Sequence, residues 1–458
     1  MMARLKYINP VKMLYIVWSI YLAIVTMPII IYGAVETTIA WVFVLGFLGL
    51  FTIGYYFGYH VLIISGKTTK RCVTRKGVHY SDHIVNNRLN SFVLVVTIMG
   101  IIGSIMRGFD LLLLRNFYWQ EGVTAMRLAR GAVTFTEGVQ GGFLAATSHL
   151  LMGFAVFGCV LAILEAEQIK LNSMRIAFVT IGLLMVISFL EGARNPILIT
   201  SGFFLSALLV RTVLGKKAIP KIPFRKLIKW IIVPLVIFFF VSVFIEREIE
   251  RGRDIYSVLL HLETSFSAYI PQIWFDIAAR NDVFSLALLP FMMNYHYLAH
   301  SFTELANLLN HTPAPGPYFG WYTFNMIGLF MNNVIGISVP DMRYMLSSLY
   351  RPGTYTTIIG FIYVDFGILF SFLIFLLFGI VSGVTWRMLK MKANISWEVL
   401  AVYILTIILF SPLYLIIAIS NGFSILVGML FVFISGYFGL NTKLSVQEYQ
   451  QDVKYRRN

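Results

Sequence analysis

Arg247, Arg251 and Arg253 stand in IEREIERGRD (245–254), Arg194 in EGARNP (191–196), and Arg351 heads RPGTYTTIIGFIYVDFG (351–367). Arginine carries a rigid fork of donors that keeps its charge and matches phosphate bidentately, whereas lysine is a hydrated point charge. On a continuous helix Arg247 and Arg251 share one face at i, i+4, where like charges repel unless an anion lies between them. The competing reading is local pairing, because Glu248 with Arg251 and Glu250 with Arg253 are spaced i, i+3. Glu191 and Arg194 interrupt an apolar stretch, and Gly192 and Pro196 permit a tight turn between its halves. The plainer alternative there is a hairpin closed by a salt bridge.

Proton acceptors are fewer. Asp365 lies among Ile, Phe, Tyr and Gly, where a charge in hydrocarbon costs at least about 2.5–3.5 kcal/mol. One reading is a buried acid bonded to the hydroxyls of Tyr355, Thr356 or Tyr363; the other is a general base or positioning carboxylate. On a helix it lies roughly 15 Å below Tyr355, a depth that favours the structural role. Arg351, Thr354 and Tyr355 sit higher and are better placed to touch a substrate. His261, His296, His300 and His311 are acid/base candidates. His296 and His300 have a zinc-compatible i, i+4 spacing, but no third ligand follows and HExxH is absent, so no metal is expected. No DxD sequence, Walker A motif or dinucleotide fingerprint is present, and no cofactor is expected.

The elements that hold these residues follow from composition. The chain has 458 residues, 58% apolar and 12% charged, with a mean hydropathy of +0.79. Soluble domains carry about 25% charged residues, so an ordinary soluble protein is excluded. Many apolar runs reach 17 residues or more, and alternating strand patterns are absent. The fold class is an all-α polytopic membrane protein, a single integral membrane domain over 1–458. The first run, VKMLYIVWSIYLAIVTMPIII, lacks a small-residue cleavage site and reads as a retained anchor. Of the two cysteines, Cys72 sits in a basic loop and Cys159 in a span, so no disulfide is expected.

Ten spans are expected, at 12–33, 38–65, 91–106, 141–164, 175–190, 195–214, 230–246, 355–386, 398–418 and 421–439. An extra pair within 247–354 would make about 12. The gaps GKTTKRCVTRK (66–76), GKKAIPKIPFRKLIK (215–229) and RMLKMK (387–392) are basic, as are both termini. Alternation puts all of them on one side, which the positive-inside rule makes cytoplasmic. The net charge of +15 therefore needs no nucleic acid. Two segments face outward: 107–140, and 247–354 with interfacial or re-entrant helices.

The outward basic residues are then Arg107, Arg115, Arg127, Arg130, Arg194, Arg247, Arg251, Arg253, Arg280, Arg343 and Arg351. Lysine is absent from these segments, although the chain holds 21 Arg and 15 Lys. Pairing with outward carboxylates accounts for many of these arginines, but not for the missing lysines. A polyanion bound at the outer face accounts for both. The outward aromatics of NFYWQ (116–120), QIWFD (272–276), NYHYLAH (294–300) and PYFGWYTFN (317–325) suit either a membrane-interface belt or the stacking of sugar rings.

At EGARNP on its short outward turn, the large outward loop beyond the next span, and PGTYTTIIGFIYVDFG (352–367), the sequence resembles the Wzy-type O-antigen polymerases, the oligosaccharide repeat-unit polymerases. The resemblance implies a GT-C-like helical fold in the bacterial inner membrane, multi-pass, with both termini cytoplasmic and the site facing the periplasm. It implies a metal-independent glycosyltransferase that moves a glycan from undecaprenyl pyrophosphate to a new lipid-linked repeat unit. Its partners would be that lipid-linked oligosaccharide, membrane lipid and a chain-length-regulating co-polymerase. By position, Arg194 and Arg351 become pyrophosphate contacts, and Gly192 and Gly353 backbone hinges, with Thr354, Tyr355 and Asp365 in support. Arg247, Arg251 and Arg253 join the contacts on composition alone. Glu191, Asp341 and His296 remain unranked as the catalytic base. The rivals are an O-antigen ligase using the same donor, a polysaccharide flippase or transporter, and a scaffold. Span interiors nearly free of charge apart from Asp365 count against a flippase.

Overall fold

The computed structural model describes residues 7–32, 37–60, 86–114, 142–190, 195–220, 254–266, 268–280, 283–311, 316–331, 336–337, 355–392 and 394–438. Among the described residues the protein is a helical bundle with one two-residue strand pair. Seven described helices are long and apolar enough to cross a membrane. They are α2 (Thr38–His60), α3 (Asn87–Phe109), α4 (Gly142–Leu164), α5 (Leu171–Leu190), α6 (Asn195–Val213), α11 (Ile358–Lys392) and α13 (Ser420–Phe438). They correspond to seven of the ten expected spans; the span expected at 230–246 lies outside the described residues.

The remaining two expected spans are shorter than the sequence suggested. Helix α1 (Pro10–Val25) ends well before residue 33, and α12 (Ile395–Phe410) well before 418. Proline marks the stop in both cases, because Pro28 and Pro412 carry no amide hydrogen with which to extend the helical ladder. At their starts, α1, α3 and α12 are capped by Asn9, Asn86 and Asn394, whose side chains accept from Lys12 N, Leu89 N and Ser396 N. Such caps satisfy amide groups that would otherwise lack partners.

Small residues set the helix contacts. Gly54 and Gly58 of α2 face Gly379 and Gly383 of α11, so each helix presents a G-x-x-x-G seam. A Cβ at Gly54 would fall 2.2 Å from Leu376 O, and one at Gly383 2.1 Å from Tyr55 O. Backbone thus touches backbone, the contact on which helix association in lipid relies. Phe43 stacks on Phe372 at 5.2 Å and Phe47 packs on Phe375 at 5.0 Å, so the two helices run parallel. The alternation counted from the sequence gives both the same sense. Because backbone cannot retreat, Gly54→Ala and Gly379→Ala should each destabilise the fold by about 1–3 kcal/mol. Thermal midpoints of the detergent-solubilised protein check this.

Helices α3 and α4 pair antiparallel, with Gly100 against Ala155 and Gly103 against Leu151 and Met152. Helix α13 crosses α4 where Gly153 meets Ser424. Helices α12 and α13 form a hairpin closed at its base by Ser396 Oγ donating to Phe433 O at 2.9 Å.

One end of the bundle carries a buried charge knot. Lys216 Nζ lies 2.6 Å from Glu165 and 3.3 Å from Glu398, and donates to Leu164 O. Arg211 pairs with Glu167 and donates to the carbonyls of Ile163, Leu164 and Lys217. Arg211 has no exposed surface, so the span it ends is not charge-free as expected. Lys216, which begins the basic run of the gap 215–229, is itself buried and paired.

Within the large expected outward segment are α7 (Ile255–Phe266), α8 (Gln272–Ala279), α9 (Val283–Leu309) and α10 (Asn325–Phe330). Helices α7 and α8 and part of α9 enclose a second apolar core around Leu259, Phe275 and Met292. Strand β1 (Ile31–Tyr32) pairs antiparallel with β2 (Ala268–Tyr269), tying the α1–α2 connection to this layer. Tyr295 OH donates to Met27 O at 2.6 Å and reinforces the tie.

Candidate functional site

Helix α9 is the centre of the site. His296 and His300 lie one turn apart, both buried, with rings stacked at 5.0 Å. His296 Nδ1 meets Tyr32 OH at 2.9 Å, and Phe266 lies edge-on to its ring at 4.3 Å. Helix α9 and the strand pair therefore hold His296 jointly.

His300 has a fixed tautomer. Tyr355 N–H donates to its Nε2 at 3.1 Å, so the proton sits on Nδ1, which donates to His296 O at 2.8 Å. Protonating Nε2 would set a donor against a donor, so the imidazole is neutral. His300 brackets the segment entering α11, and both ring nitrogens are used in doing so. The other two histidine candidates lie apart from this pair: His261 is half-buried and bonded to Ser265, and His311 is exposed beyond the end of α9.

Tyr355 is the hub. Asn195 Nδ2 donates to Tyr355 OH at 3.3 Å across 160 residues. Asn195 belongs to EGARNP and Tyr355 to PGTYTT, so the two distinctive segments meet here. The Tyr355 ring packs against Tyr297 at 5.9 Å and Tyr414 at 5.5 Å. The break after α12 is fixed from the opposite side. Trp18 Nε1 donates to Ser411 Oγ at 2.9 Å, and Ser301 Oγ, itself bonded to Tyr21 OH, donates to Pro412 O at 3.0 Å.

Asp365 is a clamp, with partners other than the expected hydroxyls. Its two carboxylate oxygens accept from Tyr322 N at 2.9 Å and Thr323 N at 2.7 Å, and its carbonyl accepts from Phe319 N at 2.7 Å. The side chain is fully buried. Tyr322 stacks on Phe361 at 4.9 Å. The loop 316–323 thus lies against the first part of α11, just before Gly367 (φ 66°) breaks that helix. Gly316 permits the approach, since a Cβ there would fall 2.1 Å from Val364 O. Asp365 supplies acceptors that a loop inside an apolar bundle requires.

The structure thus brings together His296, Tyr355, Asn195 and His300, and sets Asp365 to work on the adjoining loop. Glu191, Gly192, Arg194, Arg247, Arg251, Arg253, Asp341, Arg351, Gly353 and Thr354 lie outside the described residues. Of the other expected outward arginines two are described. Arg107 is buried and paired with Asp110 three residues on, so the local-pairing alternative holds there. Arg280 is exposed at the end of α8.

Beside the two histidines lies a buried acid that the sequence reading did not single out. Glu304 continues the face of His296 and His300 by one further turn, is 2% exposed, and lies within electrostatic reach of Tyr32. The spacing HxxxHxxxE (296–304) was the available signal. Among the described residues no group of three His, Cys, Asp or Glu side chains gathers as a metal site. Set against family models, curated proteins and solved structures, the chain matches none.

Proposed function

We propose that this membrane protein is a lipid-linked glycan polymerase of the bacterial inner membrane. It transfers a growing oligosaccharide from undecaprenyl pyrophosphate to a new lipid-linked repeat unit at the periplasmic face. The observation that carries the reading is the Asn195–Tyr355 hydrogen bond. It joins the two segments on which the resemblance rests, one containing Arg194 and the other Arg351. Chain connectivity keeps Arg194 one residue from Asn195 and Arg351 four residues from Tyr355, a span of at most about 14 Å.

In the proposed reaction an acceptor sugar hydroxyl attacks the anomeric carbon of the donor. The bond to the pyrophosphate oxygen breaks, and the polyprenyl pyrophosphate leaves with the bonding electrons. Arg194 and Arg351, with Arg247, Arg251 and Arg253, stabilise the charge that develops on that leaving group. A base drawn from Glu191, Asp341 and His296 takes the hydroxyl proton. His296 is the described member of that set, and its Nδ1 is already engaged by Tyr32.

Deleting the gene and running lipopolysaccharide on a gel tests this. A single repeat unit on core is the expected result. Bare core would instead make the protein a ligase or a flippase, and an unchanged ladder would remove all three readings.

A further inference from the structure

We propose that the junction of two helix breaks, residues 355–357 and 411–419, is a seat for a neutral, hydroxyl-rich ligand, namely a sugar ring. Thr356, Thr357 and Tyr414 are its hydrogen-bonding groups. The two breaks meet directly, with Ile358 N donating to Ser411 O at 2.9 Å. They meet level with Trp18, at the middle of α1. Non-helical backbone inside an apolar bundle persists only where protein or cavity contents satisfy its polar groups.

The amides of Tyr355, Ile358, Leu413 and Tyr414 at this junction have protein partners, but three hydroxyls do not. Thr356 and Thr357 are fully buried and Tyr414 is 2% exposed, and none of their side-chain oxygens has a partner among the described residues. Elsewhere in the bundle, Thr97, Thr180, Thr212 and Thr406 each give the hydroxyl to the carbonyl four residues back, while Thr385, Trp386 and Tyr403 hold single unpartnered groups; among the described residues, only at this junction do three hydroxyls lie on two adjoining breaks. Thr356 and Thr357 precede their helix, so that outlet does not exist for them. Buried hydroxyls without partners are costly and uncommon, and strain, a bound water or ion, or a functional role accounts for them.

The guest is neutral, because the described polar neighbours are uncharged: Asn195, Tyr297, neutral His300 and Tyr355. The rings of Tyr355 and Tyr414 present faces suited to the C–H side of a sugar. Gly360 leaves room for the Thr356 side chain, since a Cβ there would fall 2.1 Å from Thr356 Oγ1. The inference deepens the glycan-transfer reading and rests on it. The seat would hold a sugar of the repeat unit beside the reacting groups.

The test uses the full chain in a sugar-free zwitterionic detergent. Thermal midpoints are recorded against rising glucose, galactose and N-acetylglucosamine, with glycine betaine as the control for solute exclusion. At least one sugar should raise the midpoint saturably. Thr357→Val and Tyr414→Phe, which remove a hydroxyl at nearly constant shape, should each weaken the apparent affinity about ten-fold or more. Thr356→Ser should retain it, and Gly360→Ala should weaken it with every hydroxyl still present. Sugar effects no different from betaine, or a saturable shift unaltered in both hydroxyl-deletion variants, would overturn the seat. Its fate is separable from that of the polymerase. A shift lost in the variants, with lipopolysaccharide unchanged by gene deletion, keeps the seat and removes the polymerase. One-unit caps without a saturable shift do the reverse.

Discussion

Arg194→Ala and Arg351→Ala are each expected to lower polymer formation by about 10²–10³-fold, the usual loss when one preorganised donor to a developing negative charge is removed. The lipopolysaccharide ladder would collapse to a single repeat unit on core. Membrane levels of protein should stay normal, because Asn195 and Tyr355, which fasten the two segments together, are untouched. Arg→Lys at either position keeps the charge but loses the planar fork, so it should restore only part of the ladder. Immunoblots of membranes beside the gel separate lost chemistry from lost protein. Normal ladders from both alanine variants would defeat the assignment.

Asp365→Ala should fail in the opposite way, by losing the protein. Its carboxylate satisfies the amide groups of Tyr322 and Thr323 in a fully buried place. Removing it leaves two buried donors without acceptors, at about 1–3 kcal/mol each. Against a total stability of about 5–15 kcal/mol, that is a large fraction. The expected outcome is a clearly lower thermal midpoint, with less protein in the membrane and polymer reduced in proportion. Asp365→Asn keeps one acceptor oxygen and should fall between alanine and wild type. A normal midpoint with polymer abolished would move Asp365 from architecture to chemistry.

These two cases mark what was legible in the sequence. Local quantities were readable. Apolar run length located the long helices, and the lone acid at 365 announced itself against an apolar background. Helix ends were harder, because a hydropathy window passes over Pro28 and Pro412 while the backbone does not. Partners distant in the chain were not readable at all. Asp365 bonds to residues 42 and 43 positions away, His300 to one 55 away, and Asn195 to one 160 away. Composition could not tell a free arginine from a paired one either. The i, i+3 spacing of Arg107 and Asp110 was visible, yet only folding shows both buried together. Thr356, Thr357 and Tyr414 look ordinary in the sequence and stand out only once their lack of partners is seen.

The knot around Lys216 also bears on how the molecule can flex. It fastens α4, α12 and the chain just beyond α6 at one shared tip. Drawing those ends apart would strand an ion where nothing solvates it, a heavy penalty. Any breathing that admits a bulky lipid-borne chain must therefore take place away from that tip. On the proposed function, the molecule would work like a pair of tongs, riveted at that tip, with its jaws at the opposite end.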